Sequence, residues 1–177
     1  MRTTLETERL VLRLPRPADA DAWSAATEDV EVMRFIGGSS GAASQSIELF
    51  LERWDANGFG QYAIERREDG ALLGRLGLLV WDTRDWRRST LPDAGDAAEV
   101  ELGWALLREH WGHGYATEAA EAVRDAAWAD LELERLVSLI HPDNARSIGV
   151  AERLGARFER DVESADVGPL QVWVYER

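Results

Sequence analysis

The sequence predicts one mixed α/β domain over residues 1–177, and three observations carry that expectation. Stretches with the two-residue alternation of strands interleave with stretches of helical spacing. A strand, a glycine turn and a helix follow one another from Glu99 to Leu131, and a second strand-to-helix unit runs from Arg135 to Gly155. Hydrophobic residues make up 45% and charged residues 30%, which suits one packed core and not a disordered chain.

The elements can be read in order. Residues 8–14 form a strand that ends at Pro15, since proline cannot donate to a ladder. Pro17 suits the opening of a helix over 17–28, with Ala20, Trp23 and Ala26–Thr27 on one face. Gly37-Gly-Ser-Ser-Gly41 reads as a flexible break. Ser44 or Ser46 would cap a helix reaching about Asn57-Gly58, with Ile47, Leu51 and Trp54 along one side. Gln61 to Arg66 and Ala71 to Trp81 form a hairpin across Glu68-Asp-Gly70. Residues 82–98 read as a long polar loop, a length that is uncommon unless functional or disordered. Then come the 99–106 strand, the helix after Ala116, the 135–140 strand, the helix after Asn144, and a closing hairpin from 156–164 and 170–175. There is no internal repeat and no linker between domains.

Residues 108–119, Arg-Glu-His-Trp-Gly-His-Gly-Tyr-Ala-Thr-Glu-Ala, carry the clearest functional signal. The first N–H groups of a helix lack internal partners and the helix dipole is positive there. Gly112 and Gly114 would let an anionic group approach that backbone. The loop alone does not name the ligand, and a plain glycine turn is its simplest reading. A P-loop needs a lysine, and this chain has none. A dinucleotide fingerprint needs a third glycine where Thr117 stands, which disfavours a dinucleotide-binding module.

The second stretch is His141-Pro-Asp-Asn144-Ala-Arg-Ser147-Ile-Gly-Val-Ala-Glu-Arg153-Leu-Gly155. Asn144 sits at an N-cap position, Ile148, Ala151 and Leu154 share an apolar face, and Gly155 suits a helix stop. Taken with Trp111 to Ala119, it resembles the GNAT superfamily of acyl-CoA-dependent N-acyltransferases, and within it the RimJ/RimL-like branch of ribosomal-protein N-terminal acetyltransferases. The matching residues are Trp111, Gly112, Gly114, Ala116 to Ala119, then Asn144, Ser147, Glu152, Arg153, Leu154 and Gly155. Leu5 to Leu14 also looks like that branch. Three positions depart from the wider superfamily: Trp111 replaces a usual Arg or Gln, Ala156 replaces an aromatic residue, and Ala151 stands where many members carry a catalytic Tyr.

The resemblance implies a central, mostly antiparallel sheet that splays between the 99–106 and 135–140 strands, with helices on both faces. It implies acetyl-CoA as cosubstrate. The backbone of Trp104, Ala105 and Leu106 would hold pantetheine, with a bulge expected at Gly103. The loop of Trp111, Gly112, His113, Gly114, Tyr115, Ala116 and Thr117 would hold the pyrophosphate on its amides. Asn144 or Ser147 would hydrogen-bond the sulfur or pantetheine, and Ser147 would stand in for the missing Tyr. Glu101 is the first candidate for the base that takes the amine proton, with Glu99, on the same strand face, the next.

Composition sets outer limits. The chain has no cysteine, which excludes disulfides, a covalent thiol mechanism and thiolate metal sites. No apolar run reaches the roughly 20 residues of a membrane span. No signal peptide is visible, so a cytoplasmic protein is expected. The net charge of −13 argues against direct nucleic-acid binding and suits a cationic acceptor, although acidic charge also serves solubility alone. His110-x-x-His113 lacks a convincing third ligand, so no metal is expected. Among the tryptophans, Trp81, Trp86, Trp23 and Trp54 are candidates to shape the acceptor pocket, while Trp128 and Trp173 read as core.

The expected function is acetyl-CoA-dependent N-acetylation through direct attack in a ternary complex, by a monomer or homodimer. The expected acceptor is an amine, foremost a protein N-terminal α-amine. A small-molecule amine such as an aminoglycoside or polyamine is the alternative acceptor. A non-catalytic acyl-CoA-binding sensor is the alternative of another class.

Overall fold

A computed structural model describes residues 1–36 and 43–177. Among the described residues nine strands form one sheet. β1 (Thr4–Glu6) and β2 (Leu10–Arg13) pair at one end, and β3 (Gln61–Arg66) and β4 (Leu72–Asp82) continue it as an antiparallel hairpin. β5 (Arg87–Ser89) lies against the end of β4, and β6 (Ala98–Leu106) against its full length. β7 (Arg135–Ile140), β9 (Gly168–Glu176) and β8 (Arg157–Ser164) complete the order. Every strand pairing is antiparallel except β6 with β7.

The helices are α1 (Ala20–Glu28), α2 (Val30–Met33), α3 (Ala43–Asn57), α4 (Leu91–Ala94), α5 (Tyr115–Asp130) and α6 (Ala145–Arg153). Strand alternation sends neighbours to opposite sides, and helices cover both. On one side Tyr62, Ile64, Leu76, Leu78 and Leu102 pack with Ala119, Ala120, Val123 and Ala127 of α5. On the other, Ala63 packs with Trp23 of α1 and Ile47 and Phe50 of α3. Each fully buried aliphatic side chain in such a core contributes about 1.5–3 kcal/mol.

The hairpin, the β6 and β7 strands, α5, α6 and the closing hairpin lie where the sequence predicts them. The Gly37–Gly41 break falls outside the described residues. Ser44 and Ser46 lie within α3 and not ahead of it. Short elements escape the sequence reading, two of them ahead of α3. β1 pairs with β2 over three residues, and Asp29 caps α2 by accepting from the Glu31 and Val32 N–H groups.

The 82–98 segment is not the loop that its polarity suggests. Arg87–Ser89 forms β5, Thr90 caps α4 by accepting from Asp93 N–H, and Gly95–Ala97 adds a short 3-10 turn. Trp86 anchors the segment despite a φ of +52°. Its side chain is buried with Leu170 and Val172, and Ser164 Oγ donates to its carbonyl at 2.7 Å. Those contacts offset a backbone cost of roughly 1–3 kcal/mol.

Candidate active site

The sheet opens between β6 and β7. These two strands pair in parallel at a single position, Glu101 with Val137. Beyond it Ser138 Oγ donates to the Leu102 carbonyl at 2.6 Å and bonds the Tyr175 hydroxyl, so a side chain takes over where the backbone ladder stops. The expected bulge at Gly103 is absent: β6 follows β4 without a register shift from Ala98 to Leu106. The divergence comes from the single parallel pairing.

This register decides which backbone groups are free. Leu107 N–H bonds Leu73 on β4, while the Leu102 and Leu106 carbonyls are taken by Ser138 and by Trp111 Nε1 on the other side. Odd positions therefore face β4 and even ones face the opening. Trp104 thus turns its N–H and C=O into the gap. A cleft runs along it, lined by Trp104, Ala105 and Leu106 on one wall and by Asn144, Ala145 and Ser147 at the start of α6 on the other.

One end of the cleft is the glycine turn. Gly112 and Gly114 both have φ of +81°, which non-glycine residues rarely adopt. A Cβ at Gly112 would meet nothing within 4 Å, so the backbone there is open to a ligand. Gly114 caps α5, whose first bond is Glu118 N–H to Gly114 C=O, so the N–H groups of Tyr115, Ala116 and Thr117 have no helical partner. Across the cleft the Arg146 guanidinium sits 4.6 Å from the Trp111 ring. Arg34 and Arg153 also line the cleft. These residues fit a long ligand with an anionic end and an amide-bearing arm.

The turn is braced from behind. Glu118 accepts from Thr7 Oγ1, Arg9 N–H at 2.9 Å and Arg9 Nε at 2.6 Å. Arg9 also donates to the His113 carbonyl at 3.0 Å and lies 4.7 Å from the Tyr115 ring. His113 stacks on Tyr115 and His110 lies beside Glu109. Among the described residues no three His, Cys, Asp or Glu side chains gather as a metal site.

A smaller cavity adjoins the cleft on the Glu101 side of β6. Phe35, Ile36, Trp104, Asn144 and Ser147 line both spaces, so they meet at the level of α6's first turn. Asn144 caps that helix by accepting from Ser147 N–H at 3.2 Å. Ala151 is fully buried behind it.

Glu101 lies in the wall of this cavity with 7% exposure. Burial pushes its carboxyl above the usual range, against the opposing pull of the Trp81 N–H, Arg88, Arg75 and the Leu139 backbone. Oε2 accepts from Trp81 Nε1, while Oε1 lies over Gly103, where the sheet opens. Glu99 is committed elsewhere: Arg135 donates to both its oxygens at 3.1 and 2.9 Å and also binds Glu159. Its side chain is not free to serve as a base.

Three residues of the small cavity went unnoticed in the sequence: Gln61, Arg75 and Arg88. Arg75 had a signal, being the one charge within the apolar run Leu72 to Trp81. Of the candidate tryptophans Trp81 lines this cavity, while Trp86, Trp23 and Trp54 do not line it and are core residues.

An open strand, an amide-rich glycine turn and a buried carboxylate in the adjoining cavity thus make up the site, and comparison with known proteins gives its family. The family described as the acetyltransferase (GNAT) domain matches residues 9–157. The chain belongs to this family. Over 179 residues it is 28% identical to the N-acetyltransferase p20 of Bacillus licheniformis, whose own activity is uncharacterised, covering 97% of this chain and 94% of that one. The crystal structure of an acetyltransferase from Agrobacterium tumefaciens aligns with a TM-score of 0.78 at 32% identity, covering 100% of this chain and 96% of that one. RimL, a ribosomal-protein α-N acetyltransferase solved with coenzyme A, shares the fold at 14% identity with a TM-score of 0.74, over 98% and 97% of the two chains. The protein is an acyltransferase of the GNAT type, a family that takes acetyl groups from acetyl-CoA to amine acceptors.

Proposed function

We propose that the protein acetylates an α-amine, in the first instance at a protein N-terminus in the cytoplasm, as a member of the RimJ/RimL-like branch. The observation that carries this reading is the buried Glu101 carboxyl, whose Oε1 lies over Gly103 in the wall of the small cavity that adjoins the cleft. Pantetheine would lie along Trp104 to Leu106, and the pyrophosphate would sit on the amides from Gly112 to Thr117.

Positioning does most of the work, because two reactants held in register react as one molecule. Glu101 accepts a proton from the acceptor ammonium, through water, and the freed nitrogen attacks the thioester carbonyl. The C–N bond forms, the nitrogen gives its second proton to solvent water, and the C–S bond breaks. Asn144 and Ser147 hydrogen-bond the departing sulfur, which takes its proton from solvent. A thiol has a pKa of roughly 8.5, so no strong acid is needed, in keeping with alanine at position 151. An α-amine titrates near roughly 8, within reach of a carboxylate base, whereas a lysine amine near roughly 10.4 demands more.

The test is release of free thiol from acetyl-CoA against a panel of peptide N-termini and small amines. Peptide acceptors should exceed lysine side chains. Release with lysine side chains alone would overturn the α-amine reading, and tight coenzyme A binding without release for any amine would leave a binding protein.

A further inference from the structure

We propose that the acceptor amine carries an anionic group, a carboxylate or phosphate, and that Gln61, Arg75 and Arg88 hold it. The proposal rests on the acetyl-transfer reading above for where the amine sits, and it names the kind of molecule that brings it.

The floor of the small cavity is built of hydrogen-bond donors that lack acceptors. Gln61 is 1% exposed. Its Oε1 accepts from Arg75 Nη1. A guanidinium only donates, so the oxygen of Gln61 must face it and the amide nitrogen must face away. That nitrogen, Nε2, is buried and has no partner among the described residues. Nε of Arg88 is likewise buried without a partner, while its Nη2 donates to the Ile36 carbonyl at 3.2 Å. All three residues line the cavity.

The charge around them is one-sided. Among the described residues neither Arg75 nor Arg88 has a carboxylate within ion-pair reach; Arg75 bonds Gln61 and Arg88 bonds a carbonyl. The residues outside the described set, Gly37 to Ala42, include no acid. Burial, with Arg88 and Arg53 nearby, brings the Arg75 guanidinium down to about 10, opposed by Glu101, and it stays charged at neutral pH. Arg53 is lowered by the same causes, burial and Arg88. Arg75 and Arg88 thus meet one carboxylate, Glu101, and that carboxylate spends an oxygen on Trp81.

Buried donors left without acceptors, as Gln61 Nε2 and Arg88 Nε are among the described residues, are costly, and folded proteins rarely keep them. An anionic oxygen group would satisfy them together, since guanidinium forks match carboxylate and phosphate geometry. The chain's net charge of −13 does not extend into this pocket. Polyamines and aminoglycosides, which bring more positive charge, are therefore the wrong acceptors. An amino acid has its carboxylate beside its amine, and a protein N-terminus gains one from an acidic residue in its first positions.

The experiment pairs acceptors that differ only in the anion. Free L-amino acids and phosphoserine are compared with their amides and with serine, peptides beginning with Asp or Glu with those beginning with Asn or Gln, and spermidine serves as the cationic control. Thiol release gives kcat and KM, and calorimetry on the coenzyme A-bound protein gives affinity without turnover. The anionic member of a pair should bind roughly 10- to 100-fold better, as expected for charge-assisted bonds. Gln61→Glu keeps the shape, pairs with Arg75 and fills the subsite with negative charge. It should erase that preference while leaving the acetyl-CoA KM and the melting temperature in place, and Arg88→Met should weaken anionic acceptors alone. Preference for free amino acids over peptides, or the reverse, identifies the source. Equal binding of acid and amide, or a better result with spermidine, overturns the proposal. Selective binding without thiol release would keep the subsite and refute acetyl transfer.

Discussion

Glu101 and Gly103 share one face of β6, and the carboxyl of the first fills the space that a side chain on the second would need. A Cβ on Gly103 would lie 2.9 Å from Glu101 Oε1 and 3.2 Å from its Cδ. The glycine thus leaves room for the Glu101 carboxyl, in a strand that shows no register shift there.

Gly103→Ala tests that dependence. The clash falls on the end of a side chain, so the fold should survive with its melting temperature nearly unchanged. Glu101 should be displaced, with kcat down roughly ten- to a hundredfold and coenzyme A affinity little altered. Steady-state kinetics with calorimetry checks this, and unchanged kcat would separate Gly103 from the base.

Glu101→Gln should lower turnover by up to about 10²-fold at neutral pH, with coenzyme A binding retained. Because burial raises the Glu101 carboxyl, the wild-type rate should fall on acidification at a pH above the ordinary carboxylate range. The variant should lack that limb, and its deficit should shrink as alkaline pH delivers more neutral amine. The sign for stability runs the other way. A raised folded-state pKa favours the fold below the unfolded value, and that advantage is lost as pH rises through the folded one. Superimposable pH–rate profiles would remove Glu101 from the reaction.

Gly114→Val should weaken coenzyme A binding by roughly ten- to a hundredfold. The φ of +81° strains any side chain, and a β-branched one most. Calorimetry is the measurement, with circular dichroism to establish folding. Wild-type affinity in a folded variant would put the pyrophosphate elsewhere.

Glu118→Ala should loosen the turn that Glu118 braces through Thr7 and Arg9. A loss of about 1–3 kcal/mol in stability is expected, with a higher KM for acetyl-CoA. Burial alone would raise this carboxyl, but hydrogen bonds from Thr7 and Arg9 outweigh it and hold the group below its usual range. Its contribution is therefore full above the ordinary carboxylate range and fades as pH falls through the lowered value. Chemical denaturation of both proteins at neutral and acidic pH measures the difference.

The parts of this protein that the sequence makes legible are those whose residues are consecutive. The glycine turn from Trp111 to Thr117 and the cap at Asn144 are local, so their spacing carries their geometry. Glu101 and Glu99 look alike as alternating acids, and only the packing of Arg135 against Glu99 tells them apart. The donor-lined pocket draws Phe35, Gln61, Arg75 and Arg88 from separate elements, and no local pattern joins them. β5 is three residues long, too short for periodicity, yet it delivers Arg88 beside Trp81.

The parting of β6 from β7 gives this sheet something usually found only at its rim: an interior edge. Trp104 presents unpaired amide and carbonyl groups in the middle of the strand order, as an outermost strand does. On the proposed reading, the pantetheine arm, a chain bearing amides, would be in effect the strand left out of the sheet. Substrate binding would then complete the architecture, and product release would reopen it. Amide hydrogen exchange along Trp104 to Leu106 should be the part of the core most slowed by coenzyme A, since the ligand finishes a ladder that the polypeptide leaves undone.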